Sequence, residues 1–384
     1  MTRDPWVLDS IVGYRLELES QPRQRFPPRL DIVSEEMSEQ VDMEVAKMLQ
    51  KEAVRQVTPV QSQFLSRLFT VPKKDGTARP VVNLRPLNQY MQKQRFKMES
   101  IAMLRHLLKR GDWMGSIDLK DAFQSVPIHK DFRKLLRFMW KERLFEFRCL
   151  PFGLSSAPRT FSKILKPVMA LFRRSGIRCL IFIDDLLMIA SSPQELRQIL
   201  QEAVTVLTSL GFRVNREKLD LVPSQEIQYL GFIVNSKSMT LCLPKEKIKR
   251  IVQDSKHALA RRTLSVRAIA RLIGRMSAVT QAVLPAPLYY RALQRVKNTA
   301  FKASQSFDVQ VELSAEAQEE LKWWIGCLSS WNGRALIMGP PEMTVESDAS
   351  LLGWGALSGS SATRILKRGS CTSTFWKHWQ APLQ

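Results

Sequence analysis

Cysteine is scarce: five residues in 384, none in a Cys-x-x-Cys pair, with four histidines in the whole chain. That usage excludes a disulfide framework and argues against a zinc site. Long apolar runs are missing as well. The most apolar stretch, Cys179 to Ala190, is broken by Asp184 and Asp185 and falls short of the ~18 residues that a membrane span needs. The first ten residues lack the apolar centre of a signal peptide. The expectation is a protein of a reducing intracellular compartment, cytoplasmic or nuclear, neither secreted nor held in a membrane. Acidic residues are also in short supply: 36 Asp and Glu against 58 Lys and Arg leave a net charge of +22. An excess of that size suits a polyanion, and nucleic acid is the commonest one.

What is present argues for a folded chain. With 45% hydrophobic residues, nine Trp and eighteen Phe, a disordered or fibrous class is excluded, and the length allows two or three domains. Charge is unevenly distributed. Residues 31–52 hold seven acids against Lys47 and Lys51, with Val33, Met37, Val41, Val45, Met48 and Leu49 at helical spacing, which predicts an acidic amphipathic helix. Residues 244–302 hold fourteen Lys or Arg against Glu246 and Asp254, a local net of +12. Within them Val266, Ile269, Leu272, Ile273 and Met276 form one apolar stripe, opposite Arg267, Arg271 and Arg275. A solvated helix face is the plain reading of such charge; its clustering favours a surface that tracks phosphates.

The string Leu180-Ile181-Phe182-Ile183-Asp184-Asp185-Leu186-Leu187-Met188-Ile189 sets two adjacent carboxylates between two apolar strand-like runs. A hairpin with Asp-Asp at its tight turn is one reading, since Asp is a good turn residue. Asp118 ends another apolar run, Ser116-Ile117-Asp118. If that strand lies beside the hairpin, Asp118, Asp184 and Asp185 converge at one sheet edge, where they repel one another unless cations bind. Mg²⁺ suits ligation by oxygen alone, and two such ions roughly 3.5 to 4 Å apart serve in-line phosphoryl transfer. With the basic excess, this points to a nucleotidyl transferase.

A family resemblance makes the expectation specific. Asp118-Leu119-Lys120-Asp121-Ala122-Phe123, Leu150-Pro151-Phe152-Gly153-Leu154-Ser155-Ser156-Ala157-Pro158, Phe182-Ile183-Asp184-Asp185 and Tyr229-Leu230-Gly231-Phe232 resemble motifs A, B, C and E of reverse transcriptases, in order and at family spacing. Val71-Pro72-Lys73-Lys74-Asp75-Gly76-Thr77-Ala78-Arg79-Pro80 is similar to the fingers strand of that family. Asp4-Pro5-Trp6-Val7-Leu8, the Leu150 to Pro158 string and Glu346-Ser347-Asp348-Ala349-Ser350 most resemble retroelements of the DIRS-like, tyrosine-recombinase-bearing kind, with a long-terminal-repeat element as the close second.

The resemblance implies an α+β right-hand polymerase with fingers, palm and thumb, a connection segment and a partial RNase H-like stub. The corresponding division is an N-terminal extension (1–58), fingers and palm (59–243), a basic helical thumb (244–303), a connection (304–341) and a truncated RNase H-like segment (342–384). It implies that Asp118 and Asp185, with Asp184 in the carboxylate set and the Leu119 carbonyl as a further ligand, hold two Mg²⁺ ions, with Mn²⁺ an alternative. Lys73, Arg79 and the adjacent Lys74 match residues that fold onto the incoming deoxynucleoside triphosphate, where a point charge and a forked guanidinium suit phosphate. Phe123 falls at the steric gate, which rejects a 2′-hydroxyl by clash. Phe152 stands where some retroviral enzymes have Gln, and Phe182 where many have Tyr, so polar contacts at those positions do not transfer. Gly153 permits close backbone approach. Lys218 resembles the motif D lysine that protonates pyrophosphate; a surface role is its alternative. Leu230, Gly231 and Phe232 would press a hairpin apex onto the primer strand. The implied partners are an RNA template paired with a DNA or RNA primer.

Asp348 matches the first carboxylate of a ribonuclease H domain, a chemistry that needs several acids. No Asp or Glu follows it, so strand hydrolysis by this chain alone is not expected, and the end reads as truncated or out of frame. The expectation is therefore an RNA-directed DNA polymerase of a retrotransposon. A catalytically silent nucleic-acid-binding remnant of a mobile element is the alternative, and Phe123 argues against an RNA-dependent RNA polymerase.

Overall fold

A four-stranded antiparallel sheet carries the motif residues, in the order Arg178–Phe182, Asp185–Ala190, Trp113–Asp118, Asp220–Ser224. The computed structural model describes residues 2–28, 35–72, 78–215, 220–337, 345–349, 353–358 and 361–366. Along the second strand, Leu186, Met188 and Ala190 enter one hydrophobic core while Leu187 and Ile189 enter another. Successive side chains alternate between faces, so a strand buried on both sides reads as an unbroken apolar run. The sheet therefore separates two cores.

The first core is roofed by two helices, Ala157–Arg174 and Pro193–Ser209. Both open with a proline in the first turn, where the missing N–H costs nothing. At the second, Ser192 Oγ accepts from Glu195 N while Glu195 Oε2 accepts from Ser191 N, a reciprocal cap. Gly115 lets this helix approach the sheet, since a Cβ there would lie 2.8 Å from Leu200 Cδ1. The same core continues into a five-stranded sheet of order Val54–Val57, Arg143–Phe147, Arg137–Trp140, Leu65–Pro72, Ala78–Asn83. The acidic helix, Glu35–Gln50, buries Val41 and Val45, as its periodicity predicts, whereas Leu49 is exposed and Val33 lies outside the described residues. Near the N-terminus, Tyr14 is buried and hydrogen-bonds through its backbone to Pro127 and His129.

The second core holds the basic helices Lys245–Leu259, Val266–Ser277 and Arg291–Ser304. All five residues of the predicted apolar stripe, Val266 to Met276, are buried. The Ala315–Gly326 helix packs on the first and third of them. Acids from this region take up part of the basic excess: Arg262 pairs with Glu312, Arg267 with Asp308 and Arg295 with Glu316.

Within the apolar run Tyr229 to Val234 the chain reverses at Leu230-Gly231. Strands Glu226–Tyr229 and Phe232–Asn235 form a hairpin with Tyr229 opposite Phe232. Both turn residues have positive φ, 48° and 76°, the conformation that a two-residue hairpin of this twist requires.

Two compact units are separated near residue 336. The second contains three antiparallel strands, Glu346–Ala349, Gly353–Ser358 and Ser361–Leu366, with Asp348 opposite Gly355. No described helix is long and apolar enough to cross a membrane. Cys149 and Cys179 are buried thiols, pushed by burial up to about 12 and about 11 respectively, which removes their thiolate reactivity near neutral pH.

Candidate active site

Asp118 is the last residue of its strand and Asp185 the first of its own, and the two are direct cross-strand partners. Direct partners share a face of the sheet, so two like charges stand opposite each other, a destabilising arrangement unless something offsets it. Asp118 Oδ2 accepts from Asn215 Nδ2 at 2.8 Å, and its main-chain carbonyl accepts from Asn215 N at 2.8 Å. Behind Asp185, the Tyr229 hydroxyl donates to the Asp185 main-chain carbonyl at 3.1 Å. Tyr229 is 2% exposed, and burial, with the Asp185 carboxylate as a smaller cause, holds its phenol far above the ordinary value. It stays protonated and available as a donor.

The turn joining the two carboxylate-flanking strands is Ile183-Asp184, with Phe182 opposite Asp185. The Asp-Asp pair therefore does not form the turn: Asp184 is in it, and Asp185 already belongs to the strand. Ile183 has φ of 57°, an unfavourable conformation for a β-branched side chain and a form of strain that concentrates at functional sites. Leu119 N donates to Asp184 O at 2.9 Å, which fixes this turn to the Asp118 strand.

The paired carboxylates fit a divalent cation. Their donors are all oxygen, as Mg²⁺ or Mn²⁺ prefers, and Mg²⁺ commonly binds through one or two carboxylates and completes its shell with water and substrate phosphate. Among the described residues no three His, Cys, Asp or Glu side chains group as metal ligands, so a cation on the Asp118 and Asp185 pair would draw the rest of its shell from other oxygens.

Next to the carboxylates, Asp121 takes a left-handed conformation (φ 55°) and starts the short helix Ala122–Ser125. Phe123 is 7% exposed and lies between Phe152 and Phe161, at ring-centroid distances of 5.1 and 5.8 Å. The turn is held from outside by Lys51, whose Nζ lies 2.7 Å from Asp121 Oδ2. Gly153, with φ of 93°, follows the exposed Phe152. Asn88 fastens that loop, donating to Gly153 O at 2.9 Å and accepting from Ser155 N at 2.8 Å.

The Leu230-Gly231 turn meets the first basic helix, where Lys247 Nζ donates to Gly231 O at 2.7 Å. The structure thus brings together Asp118 and Asp185, and separately Phe123, Phe152 and Gly153, and carries Leu230, Gly231 and Phe232 on a hairpin tied to Asp185. Lys73, Lys74 and Lys218 lie outside the described residues. Arg79 and Asp348 are described through their backbone alone, on the Ala78–Asn83 and Glu346–Ala349 strands. Asn215, Lys51, Asn88 and Lys247 were not foreseen; they are common polar residues whose partners are 16 to 97 positions away.

Residues 71–234 match the family model described as reverse transcriptase (RNA-dependent DNA polymerase). The chain is similar to the Transposon Tf2-3 polyprotein of Schizosaccharomyces pombe (strain 972 / ATCC 24843), 25% identical over 244 residues that make up 63% of this chain and 18% of that protein. The Tf2-7 polyprotein of the same organism is 24% identical over a stretch of the same length. The chain thus spans about a fifth of the length of the curated relatives it matches. Among solved structures it resembles a foamy viral protease-reverse transcriptase in complex with an RNA/DNA hybrid, with a TM-score of 0.70 and 17% identity over 93% of this chain and 46% of that one. A second foamy viral structure, the dRH form in complex with ds DNA, gives 0.68 and 18% over 92% of this chain and 61% of that one. The fold is the right-hand polymerase fold. More particularly, residues 71–234 are similar to a reverse transcriptase domain, and the relatives that the chain resembles are transposon polyproteins.

Proposed function

We propose that this chain is an RNA-directed DNA polymerase of a retrotransposon, adding deoxynucleotides to a primer 3′ end by two-metal phosphoryl transfer. The observation that carries the reading is the cross-strand pair Asp118 and Asp185, inside the stretch that matches the reverse transcriptase family. In this reading Asp118 and Asp185 hold the cations, with Asp184 and the Leu119 carbonyl contributing to the set. When bound, the ions supply a lowered pKa at the primer 3′-hydroxyl and neutralisation of the triphosphate.

The chain's own residues do the rest. Asn215 holds one oxygen of Asp118 and so orients the other. The packed Phe123 ring closes the space that a ribose 2′-hydroxyl would need, which selects deoxynucleotides by exclusion. Lys73, Lys74 and Arg79 bind the triphosphate, and Lys218 donates a proton to the pyrophosphate. Leu230, Gly231 and Phe232 press on the primer strand. The basic helices grip the duplex through its backbone, which suits an enzyme that must copy any sequence.

The division into an N-terminal extension, fingers and palm, thumb, connection and RNase H-like segment is part of the same proposal. Residues 349–384 supply no Asp or Glu beside Asp348, and RNA-strand hydrolysis by these residues is not proposed. The strings around Asp4, Phe152 and Asp348 favour a DIRS-like element over a long-terminal-repeat one.

Primer extension on an RNA template with Mg²⁺ and deoxynucleoside triphosphates tests the proposal. Templated elongation is the expected result. Folded protein that binds the duplex and adds no nucleotide would instead be the nucleic-acid-binding remnant of a mobile element.

A further inference from the structure

The Lys245–Leu259 helix begins with lysines at its first and third positions, in the turn where the helix dipole favours acids. Lys247 is also partly buried, and that burial lowers its pKa. Local energetics therefore disfavour a lysine here on two counts. Its contacts supply the reason for it: Lys247 Nζ donates to Gly231 O at 2.7 Å and lies 4.9 Å from the centre of the Phe232 ring. A charge-assisted hydrogen bond and a cation–π contact both act on one hairpin.

Gly231 is matched to this lysine. Its φ of 76° disfavours any side chain, and a Cβ there would lie 2.5 Å from Lys247 Nζ. The preceding Leu230 is itself held at a positive φ of 48°, so the tip is strained and needs external fixing. The residue just before the same turn is fixed as well, by the Tyr229 hydroxyl on the Asp185 carbonyl.

We propose that Lys247 and Tyr229 are positioning residues that lock the Leu230-Gly231 tip between the first basic helix and the Asp185 strand, so that duplex held by the helix is presented in register with Asp118 and Asp185. This rests on the polymerase reading above. Neither side chain touches reacting atoms; both act through the hairpin. Misplacing reacting groups by about an ångström is enough to cost two orders of magnitude in rate, whereas the duplex grip, spread over many basic residues, survives the loss of one contact.

The test compares the full chain with Lys247→Met, Lys247→Arg and Tyr229→Phe, measuring duplex affinity, melting temperature and the single-turnover rate of first nucleotide addition. Lys247→Met keeps the apolar stem and is expected to bind duplex within about threefold of wild type while adding the first nucleotide about tenfold more slowly or worse. Lys247→Arg restores a donor and should recover most of that rate. Tyr229→Phe removes one hydroxyl from a buried ring and should slow addition with duplex affinity unchanged. A wild-type rate in Lys247→Met overturns the inference, as does an equal loss in the Arg and Met variants. If Lys247→Met does not fold, Tyr229→Phe decides, and a wild-type rate there overturns it. A wild-type chain that binds duplex and never extends it counts against the polymerase reading instead.

Discussion

The rings of Phe123 and Phe152 lie 5.1 Å apart, yet the first is 7% exposed and the second 62%. One aromatic is thus fixed by its surroundings while its neighbour faces solvent, an arrangement that would suit a rigid wall beneath the proposed nucleotide site. The wall is set by Asp121, whose left-handed backbone turns Phe123 inward and whose carboxylate is held by Lys51.

Phe123→Val is expected to admit ribonucleotides, improving their incorporation relative to deoxynucleotides by on the order of tenfold or more, because the discrimination rests on exclusion. Valine is preferred to alanine here, since emptying a buried Phe site costs about 3 to 5 kcal/mol. Competition between the two nucleotide types, with melting temperature followed in parallel, reads the effect. Unchanged discrimination would make Phe123 a core residue and nothing more.

Asp185→Asn should reduce nucleotide addition by roughly three orders of magnitude or more while leaving duplex affinity nearly intact, since it removes a metal ligand and not a phosphate contact. Chelation should stop the wild type, and Mg²⁺ should restore it. Full activity in Asp185→Asn would exclude the proposed metal set.

Much of this site was legible because its signals are local. The runs flanking Asp184 and Asp185 are apolar on both strand faces, and the sheet they belong to is buried on both faces. The Val266 to Met276 stripe specifies its helix for the same reason. What could not be read is tertiary. Asn215 is 97 residues from Asp118, and Lys51 is 70 from Asp121, and nothing in a polar residue's neighbours states which distant group it will meet. The turn at Leu230-Gly231 is invisible to periodicity, because a leucine held at positive φ looks like strand in a sequence, and the family resemblance alone points to a hairpin apex there. Lys247 counts in the sequence as one more charge of a basic helix, whereas the structure turns it towards the hairpin.

Glu320 gives a pH-dependent prediction. Its carboxylate accepts from Ala292 N at 2.7 Å and Leu293 N at 3.0 Å, at the start of the Arg291–Ser304 helix. Burial raises its pKa above the ordinary 4.5, outweighing these two donors. The native state therefore holds a proton that the unfolded chain releases, so this group's contribution to stability is fully present below its ordinary value and is lost as pH rises through the raised one. Glu320→Gln abolishes that titration. Denaturant unfolding across the acid range should show the stability of wild type relative to the variant falling as pH rises from below 4.5; a flat or rising difference would exclude the raised pKa.

The local charge of +12 in residues 244–302 overstates what a duplex can use, because acids pair with several of its arginines. Arg267 donates from Nε and Nη2 to the two oxygens of Asp308, at 2.9 and 3.0 Å, and this bidentate geometry leaves little of its charge for a phosphate. Arg271, one turn further along the same helix, lines a groove with His257, Arg261, Arg275 and Asp254, where cations outnumber the acid. Each phosphate neutralised by the protein contributes about 0.9 to the slope of log affinity against log salt on B-form DNA. Arg271→Ala should therefore lower that slope by roughly one unit and weaken all duplex sequences alike, whereas Arg267→Ala should leave it near the wild-type value. Titrating salt against duplex affinity for the two variants separates the cases. An equal fall in both would mean that the Asp308 pair opens when the duplex binds, and no fall for Arg271→Ala would exclude its phosphate contact.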